Sequence, residues 1–385
     1  MHKSPNEGVV SGSTEQLKVK NPSQSSYFPW ASLIDSVTLI PLQTNAESLI
    51  SEVTKIEVLD DRVIVYDLRQ RCVFLFTVNG KFLAKFSVGE GPEELREPRD
   101  FCVDRKAGLI HVLSFNEIGI YDLNGAFVKK RYFDFMKNDF FISPLEFGIA
   151  ADNGYYFWNG TFGIKKFDYN KAFLCYKVNS DLKEIEKKYF LAKRELLEST
   201  RFRSWSGGYF LSPSVLSDTL FELNPKDDLA VPRYTIDFGD KSLIKNKSEF
   251  DKPGADEGGI VYKMSNDSPY CGFVTSISVS DKYVYFTYYC SKNRFQALYN
   301  KVTREVINGQ AYGFDEIIKK IHVKALYGNK IVFYFEMPEL KGYYNDYLKS
   351  SKKDLPIYQK KILEFAKSAD EGGNPVICIA SLRNK

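Results

Sequence analysis

One short phrase recurs along this chain and limits its fold more than anything else in it. Phe74-Leu75-Phe76-Thr77-Val78-Asn79-Gly80-Lys81-Phe82 is an apolar run, an Asn-Gly pair and the start of a second apolar run. Asn-Gly between such runs signals a tight hairpin, because both residues tolerate the positive φ that a two-residue turn demands. The phrase returns as Ile120-Tyr121-Asp122-Leu123-Asn124-Gly125-Ala126-Phe127, and in worn form at Asn179, Asn224 and Asn300. The first four copies keep an aromatic three residues before the Asn: Phe76, Tyr121, Tyr176 and Phe221. Self-similarity of this kind sets the architecture and carries no chemistry of its own.

Length alone would suggest two or three domains, but repeat folds break that rule. The 44% apolar and 15% aromatic content, with 30 Phe and 25 Tyr, supplies a large β-rich core. A formal charge of +4 is small against 53 basic and 49 acidic residues, and the Lys pairs at 187–188, 319–320, 352–353 and 360–361 are scattered. They read as solvated faces, so no nucleic-acid partner is expected. No apolar run reaches the eighteen or so residues of a membrane-spanning helix. Residues 1–29 are largely polar and read as a disordered tail or tether, leaving 30–385 as one folded domain. That tail lacks a basic start followed by an apolar core, so it is not a signal peptide. Either the protein is cytosolic or its leader lies outside this sequence.

Taken in order, strands are expected at 53–58, 63–66, 72–77 and 82–86, then at 100–103, 109–113, 118–122 and 127–133. The third set is 145–150, 155–158, 164–169 or 173–178, and 182–190; the fourth, least regular, is 202–205, 208–211, 219–223 and 233–238. The fifth is 272–279, 283–289, 295–300 and 304–307. The sixth has 321–326 and 330–336, then a helix opened by Asp354 as N-cap with Pro356 in its first turn, and only afterwards a strand at 375–380. No fourth strand remains there. The orphan run 37–42 has no hairpin partner, and placing it outermost in the sixth set closes a ring whose edges would otherwise lie bare. The expected fold is therefore all-β: a six-bladed β-propeller, its last blade completed 3+1 by an N-terminal strand and interrupted by a short helical insertion.

Gly89-Glu90-Gly91-Pro92-Glu93-Glu94-Leu95, Ser217-Asp218-Thr219-Leu220-Phe221-Glu222-Leu223, Tyr234-Thr235-Ile236-Asp237-Phe238-Gly239 and Asn374-Pro375-Val376-Ile377 are more specific. With them the chain after residue 30 resembles the six-bladed propeller family of Bacteroidetes, distant relatives of NHL-repeat propellers. That resemblance implies export to the periplasm or cell surface, often on a lipid anchor, and no established common activity. The lipid-bearing Cys would lie outside this sequence.

The six Cys form no C-x-x-C and only three His accompany them, so a zinc site is not expected. If Val279 and Lys282 close a turn over Ser280-Asp281, Cys271 falls opposite Cys290 and a cross-strand disulfide joins them; a one-residue slip would part the pair. Gly89-x-Gly91-Pro92 lacks the Lys-Ser/Thr of a P-loop and the third Gly of a dinucleotide fold, which leaves a blade-to-blade crossover turn. His111 and His322 open or follow apolar strands and read as packed or surface residues rather than bases.

By topology, the face that receives the fourth-to-first strand crossovers and the second-to-third strand turns is the candidate binding face. On it we expect Glu90, Glu93, Arg96, Arg99 and Asp100 from the first crossover, Arg69 and Arg71 from blade one, Trp158 and Asn159 from blade three, Arg203 and Asp218 from blade four, and Tyr289 and Arg294 from blade five. Insertions at 191–204 and 239–270 would rim it as a lid. The leading expectation is a monomeric, non-catalytic envelope protein binding a peptide, glycan or protein partner there, with no cofactor. The alternative is a Ca²⁺-dependent hydrolase or lyase with carboxylates and amides converging on the channel.

Overall fold

The computed structural model describes residues 8–24, 26–86, 88–135, 144–159, 173–191, 200–205 (backbone), 208–213, 217–246, 268–311, 313–351 and 354–383. These residues form six sheets, antiparallel but for one added strand. Blade one is Val53–Val58, Arg62–Asp67, Cys72–Thr77 and Phe82–Phe86. Blade two is Asp100–Asp104, Leu109–Leu113, Glu117–Asp122 and Phe127–Tyr132. Blade three is Glu146–Ile149, Tyr155–Trp158, Phe173–Val178 and Ile185–Leu191, which decides for the later of its two candidate third strands. Blade four is Thr200–Trp205, Gly208–Ser212, Thr219–Asn224 and Leu229–Asp237. Blade five is Cys271–Val279, Tyr283–Cys290, Asn293–Asn300 and Glu305–Gln310. Blade six is His322–Tyr327, Lys330–Phe335 and Val376–Leu382, with Ile34–Pro41 as its outermost strand.

First strands of successive blades touch one another around the axis, so the sheets stand radially. The protein is a six-bladed propeller. Its apolar core is accordingly divided: the buried clusters lie between neighbouring blades, not at a common centre. The second and third strands of a blade are covered on both faces, which is why their sequences are continuous apolar runs.

The Asn-Gly phrase works differently from the two-residue turn expected. Only the glycines take positive φ, +82° at Gly80 and +90° at Gly125. The N–H of Gly80 donates to Thr77 O at 2.8 Å and that of Thr77 to Lys81 O at 2.9 Å, with a register shift at Leu75/Phe76. This is a turn followed by a left-handed residue and a bulge, the three-residue hairpin. The glycines have a second reason to be glycine. A Cβ on Gly80 would stand 1.9 Å from Pro41 O, and one on Gly125 2.4 Å from the Ala84 Cβ. Each hairpin tip therefore lies against the outer strand of the preceding blade. In the worn copies the Asn carries the turn through its side chain: Asn179 Oδ1 accepts from Lys183 and Glu184 N–H, and Asn300 Oδ1 from Val302 N–H.

Residues 8–24 correct the expectation of a disordered tail. Glu15–Lys18 adds in parallel to Tyr234–Asp237 as a fifth strand on blade four, in register Glu15↔Tyr234 to Lys18↔Asp237. Leu17 and Val19 are buried there, and the Trp30 indole N–H donates to Gln296 Oε1 at 2.9 Å between blades five and six. Apolar anchors and an open sheet edge hold a segment whose composition is otherwise that of a linker. The closing strand follows, in register Val37↔Ala380 through Pro41↔Val376.

Blade six carries two helices, not one, between its second and third strands. Met337–Lys349 has Pro338 in its first turn and buries Met337, Leu340 and Tyr343; Ile357–Lys367 buries Tyr358, Ile362 and Leu363. Pro356, not Asp354, occupies the N-cap of the second, and no side chain caps it.

Cys271 and Cys290 are joined, with Cα atoms 4.2 Å apart. The route to that pairing is not the simple turn expected. The hairpin closes between Ser280 and Tyr283, one residue later, and pairs Val279 with Val284. Continued regularly, that register would carry Cys271 past Cys290. Two bulges in Cys271–Val279, with φ of +51° at Phe273 and at Ser276, each absorb one residue and restore the match. Replacing both cysteines by serine is expected to lower stability by about 3 kcal/mol, the entropy of closing a ring of about twenty residues. Urea midpoints of the double variant and the parent read this directly; identical midpoints would refute it.

Candidate functional site

Crossovers, second-to-third strand turns and the two helices of blade six share one face. The first crossover there is tightly folded. Gly89 N–H donates to Leu95 O at 3.0 Å, Gly91 N–H to Glu94 Oε2 at 2.9 Å, and Leu95 is fully buried. Lys130, almost buried, reaches in to Glu94 O, Gly91 O and, at 3.6 Å, the Glu117 carboxylate. Gly89–Leu95 is a structural crossover and not an anion cradle.

The structure divides the sequence-derived candidates. Arg71 and Arg99 converge on Glu97, and the Arg99 guanidinium lies 4.9 Å from the Phe115 ring centre. Arg69, Glu90, Glu93 and Arg96 are exposed on the same face, Glu93 accepting from the Tyr121 hydroxyl through its carbonyl. Asp218 accepts from Thr219 Oγ1, and Arg294 reaches Ser276 Oγ at 3.3 Å, within blades four and five. Tyr289 is half-buried opposite Gly272. Two candidates are corrected: Trp158 and Asn159 are buried, Trp158 packed between blades three and four with Tyr156 and Tyr209. An indole that fills an inter-blade core offers no face to a ligand. The side chain of Arg203 and most of the lid segments, 192–199 and 247–267, lie outside the described residues.

Two carboxylates on that face, Asp67 and Asp100, are engaged by the protein's own donors. Asp67 accepts from Ser51 N–H at 2.6 Å, Gln70 N–H at 2.9 Å and Gln70 Nε2 at 2.8 Å, clamping the loop before blade one to the turn after its second strand. Asp100 holds Lys55 Nζ at 2.8 Å and Phe147 N–H at 3.1 Å, tying the first strands of blades one, two and three. Burial disfavours the Lys55 cation, but Asp100, Glu146 and Glu57 outweigh it and hold the ammonium above its usual pKa. Among the described residues no group of three or more His, Cys, Asp or Glu is placed to hold a metal.

A cavity of about 520 Å³ opens at the other end of the channel. Its wall takes Glu57 from blade one, Arg105 from two, Ile149 from three, Tyr209 from four, Asp281 from five and Tyr327 from six. A space touched by every blade must lie on the axis. Its residues sit at the ends of first strands, in the turns to the second and, for Tyr209, at the start of a second strand, opposite the crossover face. Sequence reasoning missed it because no motif in the separate blades says that these residues meet.

His111 sits in the second strand of blade two, with Nδ1 2.9 Å from the Tyr155 hydroxyl and Nε2 buried without a partner among the described residues. Burial lowers its pKa to about 4, from 6.5. Below pH 6.5 the unfolded chain takes up a proton that the folded chain refuses, so this contribution is complete above 6.5 and is lost as the pH falls through 4. The loss amounts to about 3 kcal/mol. His111→Gln is expected to flatten that part of the stability profile, measured as urea midpoints from pH 7 to 4; an unchanged slope would disprove it.

Fold and face together define a radial scaffold with rigid blades and polar loops at both ends of the axis. The chain belongs to the family described as a domain of unknown function, DUF4934, whose model matches residues 15–381. No curated protein matches it. Among solved structures it is similar to a Bacteroides fragilis protein inferred to be exported, at 14% identity and TM-score 0.71, covering 98% of this chain and 100% of that one. It is also similar to a member of the duf4221 family from Bacteroides vulgatus, at 11% identity and TM-score 0.50, covering 91% and 97%. These likenesses show the fold. Among the described residues no helix is long and apolar enough to cross a membrane.

Proposed function

We propose that this propeller is an exported, non-catalytic binding protein that takes a polypeptide partner on the crossover face of blade one. The observation that carries this reading is the exposure on that face of three aliphatic side chains, Leu49, Leu68 and Val88, 44–48% accessible, together with Arg69, Arg71 and Arg96. Asp67 and Gln70 hold the loops that present Leu49 and Leu68, so the surface is preorganised. Aliphatic side chains with arginine, and acidic Glu90 and Glu93, exposed on one face have the composition of a protein–protein interface rather than of a polyanion site. The Cys271–Cys290 bond and the likeness to an exported protein support an oxidising compartment.

The test is retention of envelope polypeptides from the source organism on the immobilised protein. Leu68→Asp with Arg69→Glu is expected to reduce a retained species by about thirtyfold, the effect of losing one interface hot spot. Val302→Asp, on an exposed turn of blade five at the far face, should leave it unchanged. Retention that ignores the first variant would dispose of the reading.

A further inference from the structure

The axial cavity at the opposite end is independent of that surface, and its lining is unlike a solvent funnel. About 520 Å³ is the size of pockets that hold small molecules. Its apolar wall comes from Val103, Ile149, Val279 and Leu326, and the Tyr209 hydroxyl is already tied to Ile149 N and O at 2.6 and 2.9 Å. Its polar side is Glu57 with Arg105, whose Nη2 lies 2.8 Å from Glu57 Oε1. The same guanidinium stands 5.9 Å from the Tyr327 ring centre, so it bridges blades two, one and six.

From this lining we infer that the mouth is a binding site for a small neutral sugar, a mono- or disaccharide. Two features select that class. First, the buried acid and its base are paired with each other, and Asp104 Oδ1 is taken by the Lys106 and Ala107 N–H groups at 3.0 and 2.9 Å. Arg105 and Lys106 stand beside Glu57, Asp104 and Asp281, so a net charge on the ligand would meet attraction and repulsion together. Second, a carboxylate and a guanidinium side by side still present a free acceptor lone pair and several N–H donors. Vicinal hydroxyls, each donor and acceptor at once, satisfy both without separating them. The C–H face of a pyranose then packs on the aliphatic wall and the Tyr327 ring.

The experiment is saturation-transfer NMR on the whole chain with glucose, galactose, mannose, N-acetylglucosamine, maltose and cellobiose, and with galacturonate and glucosamine as charged comparators. At least one neutral sugar is expected to bind with a Kd of about 1 mM or tighter. Arg105→Ala, at a half-exposed side chain, and Asp281→Trp, a bulky plug at an exposed turn, should each weaken it about tenfold or more, whereas Lys360→Ala, exposed on the second helix of blade six, should not. Because both substitutions sit on exposed turns, the folded variants are checked by their circular dichroism before titration. Absence of binding by every neutral sugar, equal binding by the charged comparators, or affinity that survives Asp281→Trp would each overturn the assignment.

Discussion

Replacing Ile40 by aspartate is expected to destabilise the protein by at least about 4 kcal/mol and to leave blade six without its outer strand. Ile40 is 1% accessible and packs with Val332, Tyr334 and Ile377 of its own blade and with Val53 and Ile56 of blade one. A carboxylate there meets no donor and cannot reach water. The strand that carries it pairs with Val376–Leu382, more than 300 residues away in sequence, so only side-chain burial and backbone bonding hold the ends of the chain together. Thr38→Asp is the matched control, because Thr38, two residues earlier on the same strand, is exposed. It should shift the urea midpoint by less than about 0.5 kcal/mol equivalent. Equal effects from the two substitutions would mean that the strand does not pack as described.

Lys177→Met is expected to cost about 3 kcal/mol. The ammonium is 6% accessible and lies 2.5 Å from Asp152, 2.8 Å from Glu186 and 2.8 Å from Asp228. Asp152 and Glu186 belong to blade three and Asp228 to the hairpin tip of blade four, so one side chain fastens two blades. Burial penalises the cation, but hydrogen bonds to all three carboxylates overcome that and hold it charged well above the usual lysine range. Methionine keeps the volume and removes the charge, leaving three carboxylates facing one another. Asp152 and Glu186 are exposed enough to be rehydrated, which keeps the cost at the lower end for a broken buried pair. The complementary signature is in acid. The pairing holds Asp152 below its ordinary value, against the burial that raises it, so its contribution is present above pH 3.8 and is lost as the pH falls below that. A variant whose midpoint matches the parent at pH 7 would contradict the account.

Where the chain forms strands was legible because the information is local. Apolar runs of four to eight residues, the hairpin signal at Asn79-Gly80 and Asn124-Gly125, and the missing fourth strand of blade six pointed to six sheets and to 37–42 as the closing segment. The helix Met337–Lys349 was missed although Met337, Leu340 and Tyr343 follow helical spacing, because the strand Lys330–Phe335 runs straight into it and no cap marks its start. Residues 8–24 were read from composition, and composition does not record an open edge on a blade more than 200 positions away. The candidate face fared similarly. Topology placed Arg69, Arg71, Arg96 and Arg99 together at one end of blades one and two. It did not show that Asp67, Asp100 and Glu117 are consumed by backbone and lysine donors, or that Trp158 points into a core.

The amino-acid order alone thus determined the repeating unit, its number and the residue type at each turn, since hairpins and apolar alternation are decided within about ten neighbouring residues. Only the folded ring decided which groups meet: Cys271 reaches Cys290 through two bulges, Lys177 finds an aspartate of the next blade, and residues of six blades line one cavity. Those encounters depend on register and on closure around an axis, which bring together residues from opposite ends of the chain.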